Sequence, residues 1–338
     1  MNGRDRVYDH AKLTLIFLVV LGHIIEPFIS KSRGLEGIFN FIYLFHMPAF
    51  IFISGYFTKG KLTFRTGLKL FLDYFVLFIM IQLVFVAVMK GIGIDQYQFL
   101  TVQPAYIYWY LFAMFVWSLM LPAALWLGRS VKIGIGRVFL ISVLVALGAG
   151  YIDQIGWAWS LSRIVVFFPF FGLGYYFKSR GWIIYQVFPN RWMALAVMLA
   201  SALMMWIWPD LFQFNLLSGA NSYAKIGLND TGLIVRLVLY LTQWMMIMAF
   251  FTLLPKRPFV LSHLGTKTLT IYIFHGFIVK GLIASAYFNE LTMGKVLLLP
   301  ILAVVLVIVL GRVPIRFQLS PLILKNDRRN QKNVEKVS

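Results

Sequence analysis

Cysteine is absent from this chain of 338 residues. That excludes disulfide staples, thiolate nucleophiles and cysteine-held metal. Charge is scarce too: Asp, Glu, Lys and Arg make up 13% of the residues, with 12 acids against 31 bases. No metal site is expected from so sparse a set. What fills the chain instead is apolar: 60% hydrophobic and 17% aromatic residues, with a mean hydropathy of +0.81. A soluble domain of that composition would expose large apolar patches, so the solvent must be lipid. The net charge of +19 lies mostly in loops and tail, which makes it a topological signal and not a nucleic-acid footprint. The polar N-terminal stretch is too long for a tidy signal-peptide start, and no small-residue cleavage site follows its apolar run. That run is read as a retained helix.

Apolar stretches near the membrane-crossing length recur ten times, at 11–29, 38–57, 68–89, 105–126, 136–151, 158–177, 192–208, 232–254, 268–288 and 294–313. The fold class expected is all-α: a polytopic membrane protein with about ten transmembrane helices and both termini cytoplasmic. The loop charges agree. With the N-terminus inside, 22 of the 31 Lys and Arg fall on inner segments and only Lys31, Arg33, Lys90, Lys225 and Lys295 on outer ones. Residues 1–320 form the membrane domain, and 321–338 a basic, disordered cytoplasmic tail lying against anionic headgroups. The location expected is the cell membrane. The longest outer connection, Pro209 to Thr231, reads as a plain solvated loop, with a lid over an external opening as the alternative. No inverted internal repeat is visible.

Lys12 and His23 close the two ends of one apolar run. Eleven residues at 100° each come to about 20° past three full turns, so both cations share a helix face about 16 Å apart along the axis. Ionisable groups in hydrocarbon are costly and call for an explanation. The bland one is a histidine bonded to a neighbouring helix and a lysine snorkelling to headgroups. Three neighbours favour chemistry at His23. Gly22 removes bulk beside it, Glu26 follows at i+3 to orient the imidazole, and Pro27 ends the helix near the outer interface. Glu26 also reads as a simple interfacial charge. Asp9 is the expected ion-pair partner of Lys12.

Other polar residues are weaker signals. His46 lies two residues before Pro48, whose missing N–H frees a carbonyl; His46 either satisfies it or lies opposite His23. Arg163 in mid-span faces a polar cavity or an anion, with Glu26, Asp153 or donor phosphates as partners. Arg236 and Lys280, nearer span ends, are expected to snorkel. His275 is read as packing. Trp109, with Tyr106, Tyr108 and Tyr110, fits an interfacial belt, and its aromatics also suit a sugar ring.

The segment from Tyr8 to His23, with ten residues between Lys12 and His23, resembles the first helix of the acyltransferase-3 family of integral-membrane acyltransferases. The run Val19-Val20-Leu21-Gly22-His23 looks most like the branch of fucose 4-O-acetylase-like proteins. Phe45-His46-Met47-Pro48-Ala49-Phe50-Ile51-Phe52-Ile53-Ser54-Gly55-Tyr56 resembles the family's second-span stretch. Trp109–Leu111, Phe170–Tyr176 and Ile271–His275 match further along in the family's order. One departure is the loop before the third span. Its cations stand at Arg65 and Lys69, four apart where many members have an Arg pair three apart, and Asp73 replaces a proline.

The resemblance implies an enzyme moving an acyl group, acetyl above others, from cytoplasmic acyl-CoA to a hydroxyl of an extracytoplasmic carbohydrate. That acceptor is an exopolysaccharide or cell-surface glycan, lipid-linked or free. No cofactor is permanently bound; acyl-CoA is a substrate, and lipids are the other partner. Catalysis would fall to His23 and Glu26, as general base in preference to an acylated histidine. Donor binding would fall to Lys12, Arg65, Lys69 and Arg163, and acceptor contact or support to His46, Trp109 and His275. The rivals are a transporter of a glycan precursor or small anion, and a silent partner of a glycan assembly machine. The transporter reading expects repeat symmetry and broken helices in paired positions.

Overall fold

The computed structural model describes residues 6–97, 103–257, 259–285, 290, 292–315 and 317. The proposed tail at 321–338 lies outside the described residues. Every regular element among those described is helical. In order they are α1 (Arg6–Ile25), α2 (Arg33–Phe57), α3 (Phe64–Leu70), α4 (Leu77–Gly91), α5 (Trp109–Ser130) and α6 (Ile135–Gly148). There follow α7 (Leu161–Arg180), α8 (Arg191–Ile207), the short α9 (Phe214–Leu217), α10 (Gly232–Leu253), α11 (Thr268–Ala284) and α12 (Met293–Arg312). Among the described residues each of the ten apolar stretches read from the sequence overlaps helix, with ends moved by a few residues, and 68–89 runs across both α3 and α4.

Among the described residues, seven helices are long and apolar enough to cross a membrane. The helix of 191–207 and the segment of 209–217 pass that test together, but bend by 117° at the break between them. Two apolar helices, Ile135–Tyr151 and Thr268–Ala284, are shorter.

Several sequence devices shape the bundle. Pro27 turns the chain after α1 into a 3-10 segment, Glu26–Lys31, because it cannot continue the α-helical ladder. Ser32 then caps α2 by accepting from the Leu35 N–H at 3.4 Å. Between α3 and α4 the chain runs as a π-helix over Phe71–Val76, so 64–91 is one apolar span with a wide turn in it. Asp73 is buried in that turn, at the position where relatives were expected to carry proline. A π-turn re-aims the residues around it, and here Tyr74 reaches the interior cavity.

In lipid, helices gain nothing from hiding apolar surface from each other, so close backbone packing must hold them. The α2–α7 seam is built that way. A Cβ on Gly55 would lie 1.9 Å from the Phe171 carbonyl oxygen, and one on Gly174 would lie 2.0 Å from that of Phe52. Each glycine lets the partner backbone in, reciprocally. A third contact of this type joins the chain ends: a Cβ on Gly265 would meet the Asp9 carbonyl oxygen at 2.0 Å, while Gly311 packs on Leu264. The start of α1 and the end of α12 therefore lie at the same end of the bundle.

Two expectations change here. Arg236 does not snorkel: it is 1% exposed, stacked 5.0 Å from the Tyr223 ring centre within the helical wall. Nor is 209–231 a plain solvated loop. It folds back toward the bundle, and the Tyr223 N–H donates to the Gly150 carbonyl at 2.7 Å.

Gly55→Ala and Gly174→Ala are each expected to destabilise by about 1–3 kcal/mol through forced separation of α2 and α7. A drop of several degrees in the apparent Tm of solubilised protein measures this. Gly281→Ala, whose Cβ meets nothing within 4 Å, should not lower it.

Candidate functional site

Four residues of α1 and one just beyond it, Lys12, Ile16, Val19, His23 and Glu26, recur at steps of four and three and form one stripe. Tyr43, His46, Phe50 and Ser54 form a matching stripe on α2. Both stripes line a single cavity of about 620 Å³. It runs from Lys12, Tyr74 and Thr268 at the end where α1 begins to His23, Glu26, Tyr106 and Arg163 at the other. The alignment of Lys12 and His23 read from spacing is thus realised on a shared space.

At the first end, Lys12 Nζ lies 3.2 Å from Asp9 Oδ1, the partner expected from the sequence. At the second, His23 Nδ1 lies 3.0 Å from Glu26 Oε2. A carboxylate there accepts from Nδ1–H, which leaves the lone pair on Nε2. No described residue hydrogen-bonds Nε2, so it is free for a proton. Tyr43 stands beside the ring, its hydroxyl 3.5 Å from Nδ1, and packs where Gly22 has no side chain.

Glu26 is held from a second side. The Tyr106 hydroxyl donates to Glu26 Oε2 at 3.3 Å, and Lys280 Nζ sits 4.0 Å above the Tyr106 ring. Burial and the nearby Glu26 carboxylate push the Tyr106 phenol well up, so it remains a donor at any physiological pH. Tyr106 reaches this pose with φ 50°, a left-handed backbone unusual for an aromatic residue. Trp159 and Ser160, ahead of α7, also adopt positive φ. Such outliers cluster at functional sites because they aim side chains that regular structure cannot.

The sequence-derived candidates sort as follows. His46 is buried on the cavity wall and bonds the Ile42 carbonyl at 2.7 Å. The carbonyl that Pro48 leaves free belongs to Leu44, so His46 is not its partner. His275 is fully buried, with its ring 5.6 Å from that of His23. Its Nδ1 bonds the Ile271 carbonyl at 3.0 Å, while Nε2 has no hydrogen-bond partner. Arg163 pairs with neither Glu26 nor Asp153; its Nε donates to the Ser218 carbonyl at 3.2 Å. Asp153 instead takes Lys225 at 3.0 Å and the Ser222 hydroxyl at 2.7 Å. Arg65 and Lys69 are exposed on α3 and do not line the cavity.

Trp109, Tyr106 and Tyr110 face the cavity and Tyr108 is buried, so this quartet is not a lipid-facing belt. Lys280, expected to snorkel, also lines the cavity. Two groups went unnoticed in the sequence, Tyr43 and the Ser54–Tyr110 pair at 2.8 Å. Since Ser54 already donates to the Phe50 carbonyl, Tyr110 is the donor between them. The α2 stripe was the signal that would have found both. Among the described residues no group of three or more His, Asp or Glu side chains is placed to hold a metal ion.

A family described as "Acyltransferase domain" matches residues 6–312, which contain every residue of this site. The chain belongs to the acyltransferase-3 family. It is similar over 64 residues to the nodulation protein NolL of Sinorhizobium fredii (strain NBRC 101917 / NGR234), at 44% identity, covering 18% of each chain. NolL of Mesorhizobium japonicum (strain LMG 29417 / CECT 9101 / MAFF 303099) is 42% identical over 64 residues, 18% of this chain and 17% of that one. The matches thus span under a fifth of those relatives' length. No solved structure matches the chain. An imidazole with a free Nε2 at one end of a deep cavity is placed to accept a proton from a hydroxyl.

Because the chain has no cysteine, introduced thiols report on the cavity without background. Ser54→Cys is expected to react with a water-soluble thiol reagent, and Ala49→Cys, fully buried one turn away, to stay unmodified. Mass spectrometry of the intact protein reads the difference.

Proposed function

We propose that this protein is a membrane O-acyltransferase that moves an acetyl group from cytoplasmic acyl-CoA to a hydroxyl of an extracytoplasmic carbohydrate, an exopolysaccharide or cell-surface glycan. The observation that carries the reading is one cavity with a lysine at one end and a carboxylate-oriented histidine at the other. The phosphates of the donor bind at the Lys12 end, with Arg65 and Lys69 exposed nearby on the approach from the cytoplasm. The pantetheine arm extends along the cavity and presents the thioester to His23.

The reaction follows from the tautomer. His23 Nε2 takes the proton of the acceptor hydroxyl as its oxygen attacks the thioester carbonyl carbon. The Glu26 carboxylate, held by Tyr106, stabilises the imidazolium that forms. The tetrahedral intermediate then collapses with loss of the coenzyme A thiolate, which takes the proton from Nε2. Ester forms, thioester breaks, and His23 returns to its starting state.

The topology proposed is ten crossings with both termini cytoplasmic, in the cell membrane. It counts the seven long helices, the bent pair as an eighth, and the two shorter apolar helices. The transporter reading expects broken helices in paired positions. Among the described residues one bent pair occurs.

His23→Ala is expected to lower acyl transfer by about 10²–10⁴, the usual contribution of a general base. Glu26→Gln keeps the ring but weakens its orientation and should cost less. Mass spectrometry of surface glycans, with and without each variant, gives the answer; acetylation surviving His23→Ala at wild-type level would defeat the enzyme reading. A transporter would instead lose flux of unmodified substrate.

The topology has its own check. Asn229→Cys should be labelled on intact cells by an impermeant thiol reagent, whereas Ser130→Cys and Ser179→Cys should need permeabilised membranes. The reverse pattern would invert the proposed orientation.

A further inference from the structure

Arg163 was read from the sequence as a ligand for donor phosphates, but its place in the fold suits the other substrate. It lies in the first turn of α7, at the end of the bundle where α1 finishes and α5 begins. That is the His23 end of the cavity, away from Lys12. Its side chain is 8% exposed yet lines the cavity.

The guanidinium lies over two indole rings. Its Cζ lies 5.0 Å from the Trp109 ring centre and 4.4 Å from that of Trp157. Nε is committed to the Ser218 carbonyl. The two terminal nitrogens have no hydrogen bond to any described residue, and the two carboxylates that the sequence offered as partners are engaged elsewhere, Glu26 by His23 and Asp153 by Lys225 and Ser222. A permanently charged group, buried and without an anion, is expensive to hold. Indole faces offset part of that cost but accept no hydrogen bonds. The free fork of N–H donors matches a planar carboxylate or a phosphate.

The protein also spends structure on this pose. Trp159 and Ser160 adopt left-handed backbone just before α7. Trp157 is tied by its Nε1 to Asn221 Oδ1 at 3.2 Å, on the segment that folds back over this end of the cavity. Trp157 remains 41% exposed, which leaves indole surface for a sugar ring.

We propose that Arg163, Trp109 and Trp157 form an acceptor subsite for a sugar carrying an anionic group, the carboxylate of a uronic acid or a phosphate. The inference rests on the acyl-transfer reading for the word acceptor; the binding itself does not. Arg163 fixes the anion, the indoles pack on the pyranose, and a hydroxyl of that ring is thereby held near His23.

The test is a tryptophan-fluorescence titration of the full chain in lipid nanodiscs with D-glucuronate, glucose 1-phosphate, glucose and coenzyme A. At least one of the two charged sugars should bind tenfold or more tightly than glucose, and the stronger tells carboxylate from phosphate. In Arg163→Gln that advantage should vanish while coenzyme A affinity holds, which also reports an intact fold. If that variant does not assemble, Arg163→Lys carries the test: charge without the planar fork should weaken charged-sugar binding severalfold, again with coenzyme A unaffected. Glucose binding as tightly as both charged sugars overturns the subsite. So does a fall in coenzyme A affinity in the variant that assembles, which would return Arg163 to the donor. None of these titrations needs acyl transfer, so a failed His23 test and a failed subsite are told apart.

Discussion

The close approach of α2 and α7 is the contact on which the remainder of the molecule depends. Lipid gives helices no reason to hide apolar side chains from one another, so cohesion has to come from short-range packing. Gly55 against the Phe171 carbonyl and Gly174 against the Phe52 carbonyl bring two backbones to a distance no larger residue allows. Because α2 carries Tyr43, His46 and Ser54, and α7 carries Arg163, that seam sets where one cavity wall stands relative to the other. The polar groups of the site are thereby placed by an interaction that contains no polar side chain.

Around that seam the interior sorts its charges by length along the bundle. Lys12 with Asp9 marks one end; His23, Glu26, Tyr106, Lys280 and Arg163 mark the other. Between them lie Tyr110 and Ser54, hydroxyls that can bond a passing amide without adding charge. Arg236 is a separate matter. It is sealed beneath Tyr223, on the segment tied to Gly150, and its role reads as anchoring that segment to α10.

Much of this was legible in the sequence, and the reason is locality. The apolar stretches announce helices because length and hydropathy are properties of each stretch alone. The shared face of Lys12 and His23, the bond from His23 to Glu26 and that from Lys12 to Asp9 follow from helical periodicity within one segment. What resisted reading depends on neighbours. Nothing at Lys280 or Arg236 tells whether the adjacent surface is lipid or Tyr106 and Tyr223. The Trp109 cluster has the composition of a membrane belt, and only the packing of α11 and α7 around it turns it inward. The return of 209–217 across the opening needed the break after Ile207 to be seen as a reversal instead of an exit. Arg65 and Lys69 lie at the end where α2 closes, yet α3 turns them outward.

The length of the cavity has a consequence for the cell as well as for the substrate. A polar passage from one end of a bundle to the other, if water filled it throughout, would let protons run down the gradient that an energised membrane maintains. The groups that make chemistry possible are also those that would conduct. The wall carries bulky apolar and aromatic side chains, Trp109, Tyr110 and Phe50, and the Trp157–Arg163 stack stands at the His23 end. A passage of this length therefore carries a second demand beside shaping substrates: its wall must also deny protons a path, and bulk on that wall serves both ends.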